Sequence, residues 1–126
     1  MQFRDLKKQY HVLKPGIDAA ITEVLEASNY ISGRQVSELE QELSDYVGVK
    51  HCITCANGTD ALSLALMVWG IGEGDAVFVP DFTFFSSAET VAYEGATPVF
   101  TDILEDTFNM DPDSLERVVQ AVLKEG

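Results

Sequence analysis

Apolar residues recur at helical spacing over the first 50 residues, and shorter apolar runs follow. From Pro15 to about Ser28, apolar positions three or four apart predict one amphipathic helix. A second apolar stripe, over Val36–Val47, predicts a helix that ends at Gly48. Residues 1–50 are therefore predicted to form a helical N-terminal segment.

Strands and helices are predicted to alternate over residues 51–126. The predicted strands are His51–Ala56, Ala76–Val79 and Pro98–Thr101, and the predicted helices are Thr59–Trp69, Ser86–Tyr93 and Asp113–Lys124, the last capped by Asp111 or Asp113. This alternation predicts an α/β fold with mainly parallel strands and right-handed crossovers. Because the chain ends inside a predicted helix, we expect it to be one piece of a larger domain.

Composition narrows the class of protein. The chain has 126 residues, 46% of them hydrophobic, which is enough for one core. Eight basic and 21 acidic residues give a net charge of −13, and this charge repels nucleic acid and anionic lipid surfaces. We expect neither as a partner. Because no signal-peptide pattern and no run of roughly 18 apolar residues occurs, we expect a cytoplasmic protein.

The two cysteines, Cys52 and Cys55, form a CxxC pattern that is open to three interpretations. It could be a redox pair or half of a zinc site, but only His11 and His51 remain as further histidine ligands. In a strand, residues three apart point to opposite faces. We therefore predict buried structural thiols and no metal site.

The segment Cys55–Leu62 is a glycine-containing turn that leaves a predicted strand and enters a helix. Helix N-termini bind anions, because their first N–H groups lack partners and the helix dipole is positive there. Gly58 would allow close approach of a ligand and Thr59 could add a hydroxyl donor, whereas Asp60 also suits a helix start without a ligand. An ordinary connection with Asn57 or Thr59 as N-cap stays equally open.

Three phenylalanines lie within Pro80–Glu89, where the second predicted strand ends. Ligand crevices of α/β sheets form at such strand ends, and an aromatic face there could stack on a flat heterocycle. The alternative is that all three rings pack at a domain or subunit interface. Asp102, after the third strand, is predicted to cap its loop. The glycine-rich Gly70–Asp75 leaves a helix and is predicted to be a C-cap and turn.

Six segments together resemble the DegT/DnrJ/StrS family of pyridoxal-phosphate-dependent nucleotide-sugar aminotransferases. They are Tyr30-Ile-Ser-Gly33, the Val36-to-Gly48 helix, Asn57-Gly-Thr-Asp-Ala-Leu62, Gly72-Glu-Gly-Asp75, Pro80-Asp-Phe-Thr-Phe84 and Gly95-Ala-Thr-Pro-Val-Phe-Thr-Asp102. Their order and spacing match over nearly the whole chain, and they are most similar to members that aminate UDP-linked 3-keto sugars. The resemblance implies the N-terminal part of an aspartate-aminotransferase-like (type I) large domain, a three-layer αβα fold.

The resemblance also implies a cofactor, pyridoxal 5′-phosphate, bound at the strand ends between the two subunits of a homodimer. Gly58, Thr59 and Asp60 would then donate to the cofactor phosphate, and Phe84 would stack on the pyridine ring. The family's first strand is not the neighbour of its second and third. Within residues 1–126 we therefore expect His51–Ala56 to pair differently, to be exchanged between copies, or to leave apolar faces for oligomerisation.

The implied reaction transfers an amino group, commonly from glutamate, to the ketone of a nucleotide-linked sugar, in the synthesis of surface polysaccharide or other amino-sugar products. A loop with Tyr30, Gly33 and Arg34 would reach the substrate or the partner subunit. The family's Schiff-base lysine, and the aspartate that pairs with the pyridine nitrogen, lie beyond Gly126. The five lysines of this chain match neither position, so we expect no catalytic residue here and no transamination by this chain alone.

Three other functions remain open at this point. One is a non-catalytic cofactor-binding or regulatory module. Another is a sugar dehydratase of the same family, in which histidine replaces the downstream lysine. The third is a small nucleotide- or flavin-binding α/β domain, since the same turn and aromatic ring would serve such ligands.

Overall fold

The computed structural model describes residues 3–125, which divide into two compact units between Thr54 and Cys55. The elements in chain order are α1 (Leu6–Ala27), α2 (Arg34–Val47), α3 (Gly58–Trp69), β1 (Ala76–Pro80), α4 (Ser86–Tyr93), β2 (Thr97–Thr101) and α5 (Pro112–Glu125). The first unit contains α1 and α2, and the second contains the rest. Among residues 3–125, no helix combines the length and apolar content of a membrane span.

Helix α1 begins nine residues earlier than predicted, at Leu6 instead of Pro15. The Asp5 carboxylate caps its start by accepting a first-turn backbone N–H at 2.9 Å. Pro15 lies inside the helix, where its missing N–H removes one backbone hydrogen bond. An ion pair between Lys14 and Asp18, one turn apart, spans the proline. The predicted start was wrong because Pro15 was taken as the first residue of the helix. The sequence around a proline is similar whether the proline begins a helix or lies inside a longer one.

The ends of both helices agree with the prediction, and α2 begins two residues before the predicted Val36. Ser28, in left-handed conformation, follows the last residue of α1, and its N–H bonds to the Leu25 carbonyl. Gly48, with φ +77°, ends α2. The N–H groups of Gly48 and Val49 both bond to the Ser44 carbonyl, at 2.9 and 3.0 Å.

In the second unit, two parallel strands are joined through α4, as the alternating pattern predicts. β1 pairs with β2 in the register Val79 to Phe100, and α4 packs on both strands and on α3. Gly70, with φ +71°, ends α3, which confirms the predicted C-cap. Asp111 caps α5, since its carboxylate accepts the Asp113 N–H at 2.9 Å. The buried apolar core consists of Leu66, Val79, Val91 and Ala96.

The predicted strand His51–Ala56 does not form, and within residues 3–125 the sheet has two strands. A strand needs a partner chain for its backbone groups, and the resemblance placed its partners outside β1 and β2. At Thr54 the Glu40 carboxylate replaces a partner strand. It accepts the Thr54 N–H at 2.8 Å and the Thr54 hydroxyl at 2.9 Å.

The prediction of buried thiols was wrong for this part of the chain. Cys52 is half-buried and Cys55 is exposed, and both thiols are free. Burial was inferred from a strand that does not form, so the physical basis for it is absent. Among residues 3–125, no group of three or more His, Cys, Asp or Glu side chains is placed to hold a metal ion.

Candidate functional site

The start of α3 is held by its N-cap, Asn57. Its backbone is extended, with φ −164° and ψ 175°, and its side-chain oxygen accepts the Asp60 N–H at 2.9 Å. Its amide nitrogen donates to the Asp60 carboxylate at 3.1 Å. Asn57 is therefore the N-cap that the sequence left open, and the Asp60 N–H is committed to it.

Two backbone donors at this turn remain available to a ligand. Among residues 3–125, the N–H groups of Gly58 and Thr59 donate to no protein acceptor. They lie at the positive end of the α3 dipole, where an anion is stabilised. A Cβ added to Gly58 would have no neighbouring atom within 4 Å, so the protein's own packing does not require glycine there. A ligand that approaches the backbone closely would require it.

Because only residues 70–75 separate the end of α3 from the start of β1, and both elements line one hollow, α3 runs antiparallel to β1 and its start faces the carboxyl end of that strand. The hollow is apolar, and its lining includes Leu62 from the second turn of α3, Pro80 from the end of β1 and Ser87 from the first turn of α4. The Ser87 hydroxyl also lies 2.8 Å from that of Thr83, in the loop between β1 and α4. The free N–H groups of Gly58 and Thr59 therefore lie toward the strand end where α/β sheets form ligand crevices.

The three phenylalanines after β1 are all exposed, and they differ in their surroundings. Phe84 is 77% exposed, and its carbonyl accepts the Ser87 N–H at 3.0 Å, which fixes its backbone. Phe85 is the residue before α4. The Phe82 ring pairs with that of Phe108, with centroids 5.5 Å apart. Sequence reasoning missed Phe108, because polar residues around it mark a turn but nothing local marks a ring contact 26 positions away.

Asp102, at the end of β2, ties down the loop that follows, as predicted. Its carboxylate accepts the N–H of Ile103 at 2.8 Å. Its carbonyl accepts the Asp111 N–H at 2.9 Å, and its own N–H donates to the Ser114 hydroxyl at 3.0 Å. Asp102 is therefore a structural residue of the β2-to-α5 connection.

Arg34 lies in the first unit and begins α2, so the preceding loop ends one residue earlier than predicted. Its guanidinium bonds to Glu38 at 2.6 Å and pairs with Glu23 of α1. The hydrogen bond with Glu38 and the charge of Glu23 raise the pKa of Arg34. Arg34 therefore connects α1 and α2, and its guanidinium is paired with the carboxylates of Glu23 and Glu38.

Gly33 and Tyr30, the other two residues predicted for this loop, have different environments. Gly33 is buried, and a Cβ added there would lie 2.8 Å from the Asn29 carbonyl oxygen. The loop's own packing therefore requires glycine. Tyr30 is exposed and lines an apolar hollow with residues of α1 and α2, namely Ala20, Ile21, Val24, Leu25 and Gln35.

Free helix N-terminal donors at the carboxyl end of a parallel sheet are typical of α/β proteins that bind phosphorylated ligands. Residues 12–124 match the DegT/DnrJ/EryC1/StrS aminotransferase family, and the chain belongs to this family. Among its relatives is UDP-2-acetamido-2-deoxy-3-oxo-D-glucuronate aminotransferase of Pseudomonas aeruginosa, with 50% identity over 119 residues. That match covers 94% of this chain and 33% of the relative, so the chain spans about one third of its relative's length.

Solved structures agree with this assignment. The crystal structure of a DegT DnrJ EryC1 StrS aminotransferase from Brucella abortus superimposes with a TM-score of 0.93 at 50% identity, covering all of this chain and 34% of that one. A Streptococcus pneumoniae protein described as a sugar aminotransferase, in its PLP form, gives a TM-score of 0.71 at 39% identity, covering 80% of this chain and 26% of its own. The predicted α/β fold of the aminotransferase class is confirmed.

Proposed function

We propose that residues 1–126 form the N-terminal part of the cofactor-binding large domain of a pyridoxal-phosphate-dependent sugar aminotransferase. Residues 1–50 would supply its helical N-terminal segment, and residues 51–126 its strand-helix alternation. The observation that carries the proposal is the pair of unpartnered N–H groups of Gly58 and Thr59 at the start of α3.

The residues at this site fit the cofactor in chemistry. Gly58 and Thr59 would donate their N–H groups to its phosphate, and the Thr59 hydroxyl could add a third donor. Asp60 would act differently from the sequence prediction. Its N–H already bonds to Asn57 and its carboxylate would repel a phosphate, so we assign it to helix capping. Phe84 would offer its ring face to the pyridine ring.

Pyridoxal phosphate, when bound, supplies the electron sink that amino-group transfer requires. The residues described here would bind and orient it, and we assign none of them to proton transfer. The Schiff-base lysine would come from sequence outside residues 1–126. The site would lie between two subunits of a homodimer in the cytoplasm, with the Tyr30–Gly33 loop near the substrate or the partner subunit.

The substrate we propose is a UDP-linked 3-keto sugar, with glutamate as the amino donor. Support comes from the name of the Pseudomonas aeruginosa relative, which specifies a UDP-linked 3-oxo sugar acid, and from UDP-N-acetyl-3-dehydro-alpha-D-glucosamine 3-aminotransferase of Acidithiobacillus ferrooxidans, 42% identical over 115 residues. The product would be an amino sugar for polysaccharide.

The test uses protein from the complete reading frame. We expect pyridoxal absorbance, and after borohydride reduction a mass gain of one phosphopyridoxyl group on a lysine outside residues 1–126. With glutamate and a UDP-linked 3-keto sugar, we expect nitrogen transfer to the sugar. Dehydration of the sugar without nitrogen transfer would favour the dehydratase, and co-purified flavin with no pyridoxal adduct would contradict the proposal.

A further inference from the structure

Phe108 holds a backbone conformation that a bulky side chain rarely adopts, with φ +58°. Two hydrogen bonds of 2.9 Å close the loop around it. One joins the Leu104 N–H to the Asn109 carbonyl, and the other joins the Phe108 N–H to the Leu104 carbonyl. Ile103 and Met110 form an antiparallel bridge at its base. Such a conformation persists only where surrounding contacts enforce it, and it is found preferentially near functional sites.

The Phe108 side chain makes a contact between two loops. The Phe108 ring lies on the Phe82 ring, with centroids 5.5 Å apart and planes inclined by 36°. Phe108 follows β2 and Phe82 follows β1, so the contact joins the two loops at the carboxyl ends of neighbouring parallel strands. The start of α3, which carries the free N–H of Gly58, faces the same end of β1.

The loop after β1, residues 81–85, is fixed by hydrogen bonds at its two ends. At its start the Asp81 N–H bonds to the Thr101 carbonyl at 2.9 Å, and at its end the Phe84 carbonyl accepts the Ser87 N–H. Phe82 lies between these anchors and is itself 66% exposed. Its ring contact with Phe108 therefore restrains the middle of the loop.

We propose that Phe108 is a positioning residue for the cofactor ring: it holds Phe82, and through residues 81–85 it fixes the orientation of Phe84. This inference rests on the proposed function only for the statement that Phe84 stacks on the pyridine ring of the cofactor. The restraint that Phe108 places on the loop is a property of the protein without cofactor.

The first measurement is hydrogen exchange of the cofactor-free full-length protein. Phe108→Leu and Phe82→Leu each remove the ring pair, and we expect residues 81–85 to exchange several-fold faster in either variant. Phe108→Asn removes the ring but suits the left-handed backbone, so it separates loss of the ring from loss of stability. Phe100→Leu, which removes an exposed ring from β2, is the matched control and should leave exchange unchanged. Unchanged exchange in all three Phe82 and Phe108 variants would overturn the proposal.

The second measurement is the dissociation constant of pyridoxal phosphate, with the induced circular dichroism of its absorption band. For Phe108→Asn and Phe82→Leu we expect about a two- to tenfold weaker affinity and a smaller dichroic signal. The double variant Phe82→Leu, Phe108→Leu should be no weaker than either single variant, because both remove one contact. Additive losses, or wild-type affinity and dichroism, would overturn the positioning role. If wild-type protein binds no cofactor while exchange responds as expected, the proposed function fails and the loop restraint stands.

Discussion

Asn57 and Asp60 exchange two hydrogen bonds across the first turn of α3. The Asn57 side-chain oxygen accepts the Asp60 N–H at 2.9 Å, and its amide nitrogen donates to the Asp60 carboxylate at 3.1 Å. The third N–H of the helix is thereby satisfied within the protein, and the first two remain for a ligand. One asparagine thus both caps the helix and determines which donors stay free.

Replacing the cap should destabilise the protein. Asn57→Ala removes both contacts with Asp60, and we expect a loss of about 1 kcal/mol in the free energy of unfolding. Asn57→Ser keeps an acceptor for the Asp60 N–H and should recover most of this loss. Urea denaturation of the full-length protein measures both variants. Equal stability of Asn57→Ala and wild type would show that the cap contributes nothing.

Two glycines should respond oppositely to alanine. Gly33→Ala places a Cβ 2.8 Å from the Asn29 carbonyl oxygen, and we expect a loss of about 1–3 kcal/mol in stability. Gly58→Ala places a Cβ in open space, so thermal unfolding should show unchanged or slightly higher stability, while pyridoxal phosphate should bind more weakly. A Gly33→Ala variant as stable as wild type would contradict the loop geometry.

The Glu40 carboxylate should make the protein sensitive to acid. The backbone N–H of Thr54, and then its hydroxyl, lower the pKa of Glu40 below its ordinary 4.5. Because the pKa is lower in the folded state, this contribution to stability is present above pH 4.5 and is lost as the pH falls through the folded pKa.

The corresponding variant is Glu40→Gln, which should be less stable than wild type at neutral pH and show a smaller further loss in acid. Urea midpoints measured from about pH 6 down to about pH 3 test this expectation. Glu42→Gln on the same helix, whose side chain makes no hydrogen bond within residues 3–125, should keep the wild-type slope. If the urea midpoints of Glu40→Gln and wild type fell in parallel with pH, Glu40 would make no pH-dependent contribution to stability.

Features that depend on neighbouring residues could be predicted from the sequence. The ends of α2 and α3 follow from Gly48 and Gly70, because glycine readily adopts the left-handed conformation that commonly ends a helix. The turn at Gly58 could be located for the same reason, because glycine, a hydroxyl and a helix start are adjacent in sequence.

Features that depend on distant residues could not be predicted. The segment His51–Ala56 has the composition of a strand, but a strand exists only with a partner. The Glu40 contact with Thr54 spans 14 positions, and the Phe82 contact with Phe108 spans 26. The spacing of apolar residues along the chain predicts neither contact. The ion pair between Arg34 and Glu23 likewise joins two helices, across 11 positions of sequence.

The affinity of the full-length Gly58→Pro variant for pyridoxal phosphate tests the phosphate site most directly. Proline suits the first position of a helix, and the extended backbone of Asn57 accommodates a following proline, so the fold and the cap should persist. The substitution removes one of the two free N–H donors, and a hydrogen bond to a charged group is worth about 1.5–3 kcal/mol. We expect an unchanged melting temperature for the cofactor-free protein and at least about a tenfold higher dissociation constant. A Gly58→Pro protein that folds normally and binds the cofactor as tightly as wild type would contradict the proposed role of this turn.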